Sequence, residues 1–268
     1  MTSRYSACVS AHWDPAAYLQ FDDERTRPFL DLLARVGTDP AVIVDLGCGP
    51  GHLTPLLHRR WTESAVIGVD SSAQMIERAR KTPTSGSVRY ELADLRHWQA
   101  PRPVDLLVSA ATLQWVPGHL QLLPSLVEQL APDGTLAFTV PGNFDAPSHT
   151  LLREVAARAP YEQWTTGVSQ PAAHDAATYL DALLRPGWRV DAWETTYVHV
   201  LQGPDPVLRW ISGTGARPVL QALPDDARQR FVAEYAAALR AAYPERPYGT
   251  VLHFRRVFVV ARRHSAPR

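Results

Sequence analysis

The stretch Ala41-Val42-Ile43-Val44-Asp45-Leu46-Gly47-Cys48-Gly49-Pro50-Gly51 decides the fold. Residues 41–45 form an apolar, largely β-branched run too short for a helix, and three closely spaced glycines follow it. That is the pattern of a buried strand entering a tight turn. Residues 53–60 then read as a helix, and Ala65-Val66-Ile67-Gly68-Val69-Asp70 is a second buried strand that also closes on an acid. Strand, glycine turn, helix and strand make a βαβ unit. Ser71 or Ser72 can cap the next helix, which runs to Lys81, and strand patterns recur at 88–92, 105–109 and 135–140. Strands alternating with helices imply a mostly parallel sheet covered on both faces.

Outward from this unit the rhythm changes. On the N-terminal side, Tyr18, Phe21, Phe29, Leu32 and Leu33 are spaced as two short helices broken near Pro28. Beyond Pro141, helical patterns at 148–159 and 179–184 flank a mixed, loop-like stretch at 161–177. Residues 189–201 and 250–262 read as long strands, with helical segments at 207–223 and 225–242 between them. Such a pair suggests terminal antiparallel strands with a helical insertion lying over the carboxyl edge of the sheet, where open α/β sheets bind ligands.

Composition narrows the functional classes. The 268 residues include 27 Lys plus Arg and 27 Asp plus Glu, so no global field draws the chain to nucleic acid or an anionic membrane. Any charged ligand must be met by local charge, and Lys81 is the one lysine among the basic residues. Arginine favours planar, bidentate grips on carboxylates and phosphates. Cys8 and Cys48 are too few for a disulfide framework or a thiolate metal site, and Cys48 reads as a small loop residue rather than a nucleophile. With no apolar run of membrane-spanning length and no apolar signal core near Arg4, the expectation is a soluble cytoplasmic protein without a metal.

The glycines remove side chains where a ligand approaches backbone N–H groups. A dinucleotide fingerprint would need glycine at the sixth position from Gly47, but His52 stands there and Gly51 arrives one place early, which weighs against a nicotinamide oxidoreductase. Asp45 would repel a pyrophosphate and suits a cationic group; Asp70 can accept two ribose hydroxyl hydrogens. Asp94, past the third strand, can accept from an adenine amino group. Each acid could instead simply cap a helix or sit on the surface. Together they suggest a ribonucleoside with a positively charged tail, with Ala110 offering backbone access and Trp115 offering stacking or packing.

Asp45 to Gly51, Asp70, Asp94-Leu95 and Ala110 to Trp115 resemble the motif series of the class I S-adenosylmethionine-dependent methyltransferases. Trp13-Asp14-Pro15 with Tyr18, residues 24–28, Leu113-Gln114-Trp115, Thr195-Thr196-Tyr197, residues 213–218 and 258–263 extend the likeness to the trans-aconitate 2-methyltransferase family. The resemblance implies a Rossmann-like, doubly wound, mostly parallel seven-stranded α/β sheet with an antiparallel terminal strand and a helical lid. Residues 37–201 and 249–264 would form the core, 202–248 the lid, and 1–36 a helical segment folding over the cofactor. It implies S-adenosylmethionine as cofactor, held by Trp13, Tyr18, Asp45, Gly47, Gly49, Gly51, Asp70, Ser71, Met75, Asp94, Leu95, Ala110, Gln114 and Trp115.

The implied partner is a small tricarboxylic acid, methylated to a monoester, with no nucleic acid and no membrane. A carboxylate of pKa roughly 4 is already ionised near neutral pH, so no catalytic base is expected. Arginines should hold the carboxylates that do not react, because tight pairing dulls a nucleophile. Candidates are Arg25, Arg217 and Arg256, with Tyr197, His199, Trp193 and His149; alternation puts Trp193, Tyr197 and His199 on one strand face. The competing readings are a methyltransferase for another small acceptor and a non-catalytic S-adenosylmethionine-binding protein.

Overall fold

The computed structural model describes residues 22–82 and 87–264. The strands are β1 (Val42–Leu46), β2 (Ala65–Asp70), β3 (Val88–Leu92), β4 (Val104–Ala110), β5 (Leu130–Pro141), β6 (Trp188–Leu201), the two-residue β7 (Glu245–Arg246) and β8 (Gly249–Arg263). They form one sheet ordered β3-β2-β1-β4-β5-β8-β6, with β7 attached to β8. Neighbours from β3 through β5 pair in parallel. β8 runs antiparallel to both β5 and β6. The seven-stranded path matches the sequence expectation, and β7 adds a short eighth strand.

The strand order reverses between β1 and β4, which opens a crevice at their carboxyl ends. β1 is buried along its whole length, so its alternating side chains feed two cores. Val44 and Leu46 join Leu107, Phe138 and Val257 on one face. Ile43 joins Phe29, Leu32, Leu57, Leu106 and Phe258 on the other.

The helices are α1 (Asp22–Ala34), α2 (Thr54–Arg60), α3 (Ala73–Arg80), α4 (His119–Val127), α5 (Pro147–Ala156), α6 (Glu162–Thr165), α7 (Ala176–Leu183), α8 (Pro206–Ser212), α9 (Arg217–Ala222) and α10 (Asp225–Ala242). Ser72 caps α3, its side chain accepting from the Met75 amide at 3.3 Å. Three expectations need correction. Pro28 does not break a helix in two but lies inside α1, because the fully buried Phe29 and Leu32 hold this segment on the sheet despite the lost N–H. The predicted helix over 207–223 is two helices. The carbonyl of Ile211 accepts from both Thr214 and Ala216 at 3.0 Å, closing a turn before Pro218 restarts the helix. The loop-like stretch at 161–177 contains α6 and the first residues of α7.

Helices α8, α9 and α10 lie between β6 and β8 in sequence and share a third core with α5: Leu152, Val155, Trp210, Val219, Phe231 and Tyr235 pack with Leu252 and Phe254 of β8. Among the described residues no helix is long and apolar enough to cross a membrane.

Candidate active site

The turn after β1 is held to β2 by two hydrogen bonds, the amides of Gly47 and Cys48 donating to the Val69 carbonyl at 2.7 and 3.0 Å. Gly47 has φ +77°, and a Cβ there would stand 2.1 Å from the Thr112 hydroxyl oxygen. Only glycine satisfies both the backbone and that close approach. Gly49 is also left-handed, at φ +55°, but a Cβ there would meet nothing within 4 Å. The open side of the turn therefore faces the crevice. Gly51 packs on Ala79 and the Tyr90 hydroxyl beneath the turn.

Three acids stand at or just past the ends of β1, β2 and β3. Asp45 is 3% exposed and accepts from the Thr54 hydroxyl at 2.8 Å. Burial pushes its carboxyl up to about 7, against the Thr54 bond and with help from the Asp70 charge. Asp70 accepts from the amides of Gly49 at 2.9 Å and Ser72 at 2.8 Å, and burial outweighs these bonds to raise its pKa. It thus ties the glycine turn to the start of α3; the sequence reading weighed a bond to the helix start but not the one to the Gly49 amide. Asp94 pairs with Arg96, whose amide donates at 2.9 Å; the arginine bonds hold its pKa below the ordinary carboxylate value. Ser71 is exposed beside Asp70, Met75 and Leu95 are buried, and Ala110 is half-buried at the end of β4. The Cys48 thiol is buried between Asp45 and Asp70, which with desolvation raises its pKa and keeps it a thiol.

A cavity lies at the carboxyl ends of β4 and β5. Ala111, Gln114 and Trp115 line it from the end of β4, Pro141, Asn143 and Phe144 from the end of β5, and Ser148 and His149 from α5. Trp210, Ile211, Thr214 and Gly215 close it from the helical insertion, and Leu252, Phe254 and Arg256 from β8. Pro171 completes the wall, fixed by the Ala172 amide donating to the Gln114 carbonyl at 3.0 Å.

Arg256 is the charged residue among the described residues that line the cavity, and Arg217 lies close by. Arg256, 6% exposed, sits opposite Pro141 in the register of β5 and β8. Arg217, 7% exposed, lies 5.9 Å from the Trp115 ring centre. Burial lowers its pKa to about 10, which still leaves it charged near neutral pH. Among the described residues no Asp or Glu lines the cavity. His149 packs edge-on to Phe144, and Gly215 lies so near that a Cβ would be 2.5 Å from the imidazole. Desolvation, reinforced by Arg153, lowers the His149 pKa to about 4, so the ring is neutral.

The structure thus brings Gln114, Trp115, His149 and Arg256 to one cavity, with Arg217 against Trp115. It does not bring Trp193, Tyr197 or His199 there. All three share one face of β6, as alternation predicts, but Trp193 stacks on Phe258 at 4.9 Å with Arg35 above it. The Tyr197 hydroxyl donates to Asp31 of α1 at 2.6 Å. His199 packs behind the cavity on Trp210 at 4.9 Å, with burial lowering its pKa. Trp13, Tyr18 and the side chain of Arg25 lie outside what the structure describes. Among the described residues no cluster of His, Cys, Asp or Glu could hold a metal ion.

Sequence reasoning missed Asn143, Phe144, Trp210 and Phe254. The rule that singled out Asp45 and Asp70, a polar residue just past the carboxyl end of a strand, also reaches Asn143. No local signal marks Trp210 or Phe254, which look like ordinary core residues.

Comparison with known proteins places this arrangement. The family profile described as "Methyltransferase domain" matches residues 43–134. The chain is 51% identical over 265 residues to the trans-aconitate 2-methyltransferase of Streptomyces avermitilis, covering 94% of this chain and 97% of that protein. It is 53% identical to the trans-aconitate 2-methyltransferase of Streptomyces coelicolor, covering 94% of this chain and 86% of that one. Among solved structures, the plantazolicin methyltransferase BpumL in complex with SAH aligns with a TM-score of 0.53 at 13% identity, over 94% of this chain and 91% of that one. The geranyl diphosphate C-methyltransferase of Streptomyces coelicolor aligns at 0.51 with 17% identity, over 92% and 82% of the two chains. At these identities the structural matches speak for the fold alone.

Proposed function

This chain belongs to the trans-aconitate 2-methyltransferase family, and from that premise we propose that it forms a monomethyl ester on one carboxylate of trans-aconitate, using S-adenosylmethionine. The observation that carries the reading is the cavity at the ends of β4 and β5, whose described wall is apolar apart from neutral polar groups and the buried Arg256, with a second buried arginine, Arg217, against its Trp115. A multiply charged anion fits that wall, because each buried guanidinium offers it paired N–H donors.

The residues of the β1 turn fit the cofactor: an open glycine with positive φ, a buried acid for a cationic group, and a second acid ending β2. Asp45 would hold the amino acid end, Asp70 the ribose, and the segment with Asp94 and Leu95 the adenine. When bound, S-adenosylmethionine supplies a methyl group on a positively charged sulfur, open to in-line attack.

The protein's part is binding, alignment and exclusion of water. No proton has to be removed, since the acid is ionised near neutral pH. The neutral His149 fits a wall residue rather than a base. Arg217 and Arg256 would anchor the carboxylates that do not react, leaving the third to be aligned; such positioning supplies about 7–11 kcal/mol of barrier reduction. The helical insertion over the cavity would keep the site poor in water, where opposite charges are free to neutralise each other.

The test is incubation of the purified protein with S-adenosylmethionine and, separately, trans-aconitate, cis-aconitate, isocitrate and citrate, with esters detected by mass spectrometry. Selective formation of a trans-aconitate monomethyl ester is expected. Absence of that ester, with S-adenosylhomocysteine still binding, overturns the acceptor assignment and retains the cofactor.

A further inference from the structure

We propose that Asn143 binds the carboxylate that receives the methyl group, orienting it through a neutral amide; the proposal rests on the acceptor reading above. Asn143 stands two residues past the end of β5, in the cavity wall at the carboxyl edge of the sheet that also carries the β1 turn. Its backbone is fixed on both sides. The Gly142 amide donates to the Arg255 carbonyl at 2.9 Å, and the Asn143 carbonyl accepts from the Ala146 amide at 3.0 Å.

The side chain is 4% exposed and lines the cavity, yet its buried Oδ1 accepts no hydrogen bond from any described residue. A buried amide kept only for structure normally satisfies its polar atoms within the protein. Rotation about χ2 exchanges oxygen and nitrogen, so the group can turn N–H donors toward a bound anion.

Chemistry explains why a neutral group belongs there. Arginine on the attacking carboxylate would withdraw charge from the oxygen that must reach the methyl. An amide N–H orients one carboxylate oxygen and leaves the other free to attack. Gln114, the other amide among the described wall residues, also has a buried oxygen with no described partner, but its Nε2 is committed to the Ala111 carbonyl at 2.6 Å, so its donors are not available to an anion as those of Asn143 are. Arg256 faces the cavity from the strand beside β5, close enough to hold a second carboxylate of the same small molecule.

The test is equilibrium titration of trans-aconitate into protein saturated with S-adenosylhomocysteine, by calorimetry and by fluorescence of the cavity residues Trp115 and Trp210. Asn143→Leu, close in shape but without hydrogen bonds, is expected to weaken acid binding about 10- to 100-fold, the usual cost of losing a hydrogen bond to a charged group. Its S-adenosylhomocysteine affinity and melting temperature should match the wild type. Asn143→Asp should abolish acid binding by placing like charges together, and Asn143→Ser, which keeps a donor, should retain more affinity than Asn143→Leu. Wild-type acid affinity in both Asn143→Leu and Asn143→Asp overturns the proposal while the acceptor reading stands. If Asn143→Leu does not fold, the ordering of wild type, Asn143→Ser and Asn143→Asp decides the matter. Failure of the wild type itself to bind trans-aconitate overturns the reading beneath it.

Discussion

At Asp45, burial and function pull in opposite directions. Desolvation raises its pKa to about 7, so in the ligand-free fold the carboxyl is largely protonated below that pH. A raised folded pKa contributes stability that is complete below the unfolded value and is lost as pH rises through the folded one. Asp45→Asn should therefore raise the melting temperature of the ligand-free protein more at about pH 8 than at about pH 5. A cationic ligand favours the ionised form, so binding should expel a proton. S-adenosylhomocysteine affinity should fall by up to about tenfold between about pH 7 and about pH 6, and calorimetry in buffers of different ionisation enthalpy would register the released proton. Arg217 makes a complementary case. Arg217→Ala should raise the KM for trans-aconitate about 10- to 100-fold and leave S-adenosylhomocysteine affinity intact; unchanged steady-state kinetics would remove Arg217 from acceptor binding.

Among the elements, α1 shows how a residue chosen for chemistry can serve packing. Tyr197 donates to Asp31, Arg27 lies 5.3 Å from the Tyr197 ring centre, and Arg35 reaches both Trp193 and Asp191. These contacts clamp α1 and the residue after it against β6. Tyr197→Phe should cost about 0.5–1.5 kcal/mol in urea unfolding and leave the KM for the acid unchanged; a large KM effect would return Tyr197 to the acceptor site. The same element shows what the sequence could reveal. The buried strands and the glycine turn were legible because β-branched runs and positive φ are local demands, met by the residues that make them. The face shared by Trp193, Tyr197 and His199 was legible from alternation, but what that face would meet was not. Its neighbours come from α1, from β8 and from the helical insertion, and period alone carries no information about them. Asn143 obeyed a rule already in use, whereas Trp210 reaches the cavity wall from α8, packed on His199 and Phe254, by tertiary contacts that its local sequence does not announce.

On the scale of the whole molecule, the cofactor turn and the acid cavity draw on different cores. Phe231 is fully buried among Tyr161, Tyr235 and the rest of the insertion core, remote in sequence from the β1 turn. Phe231→Ala should cost about 3–5 kcal/mol of stability. In protein that remains folded it should weaken trans-aconitate binding more than S-adenosylhomocysteine binding, as parallel titrations of the two ligands would reveal. Equal losses would mean that the cores behave as one unit. The placement of β8 between β5 and β6 also has a bearing on biosynthesis. The residues of the cofactor turn and the strands beside it have been made once β5 is complete, although β8 adds Val257 and Phe258 to the cores beneath them, while β6 pairs with no other described strand than β8. On the ribosome, β6 must therefore wait through the synthesis of three helices before it can join the sheet. A nascent chain therefore carries the residues proposed for the methyl donor well before Arg256 and the rest of β8 that complete the wall proposed for the acid.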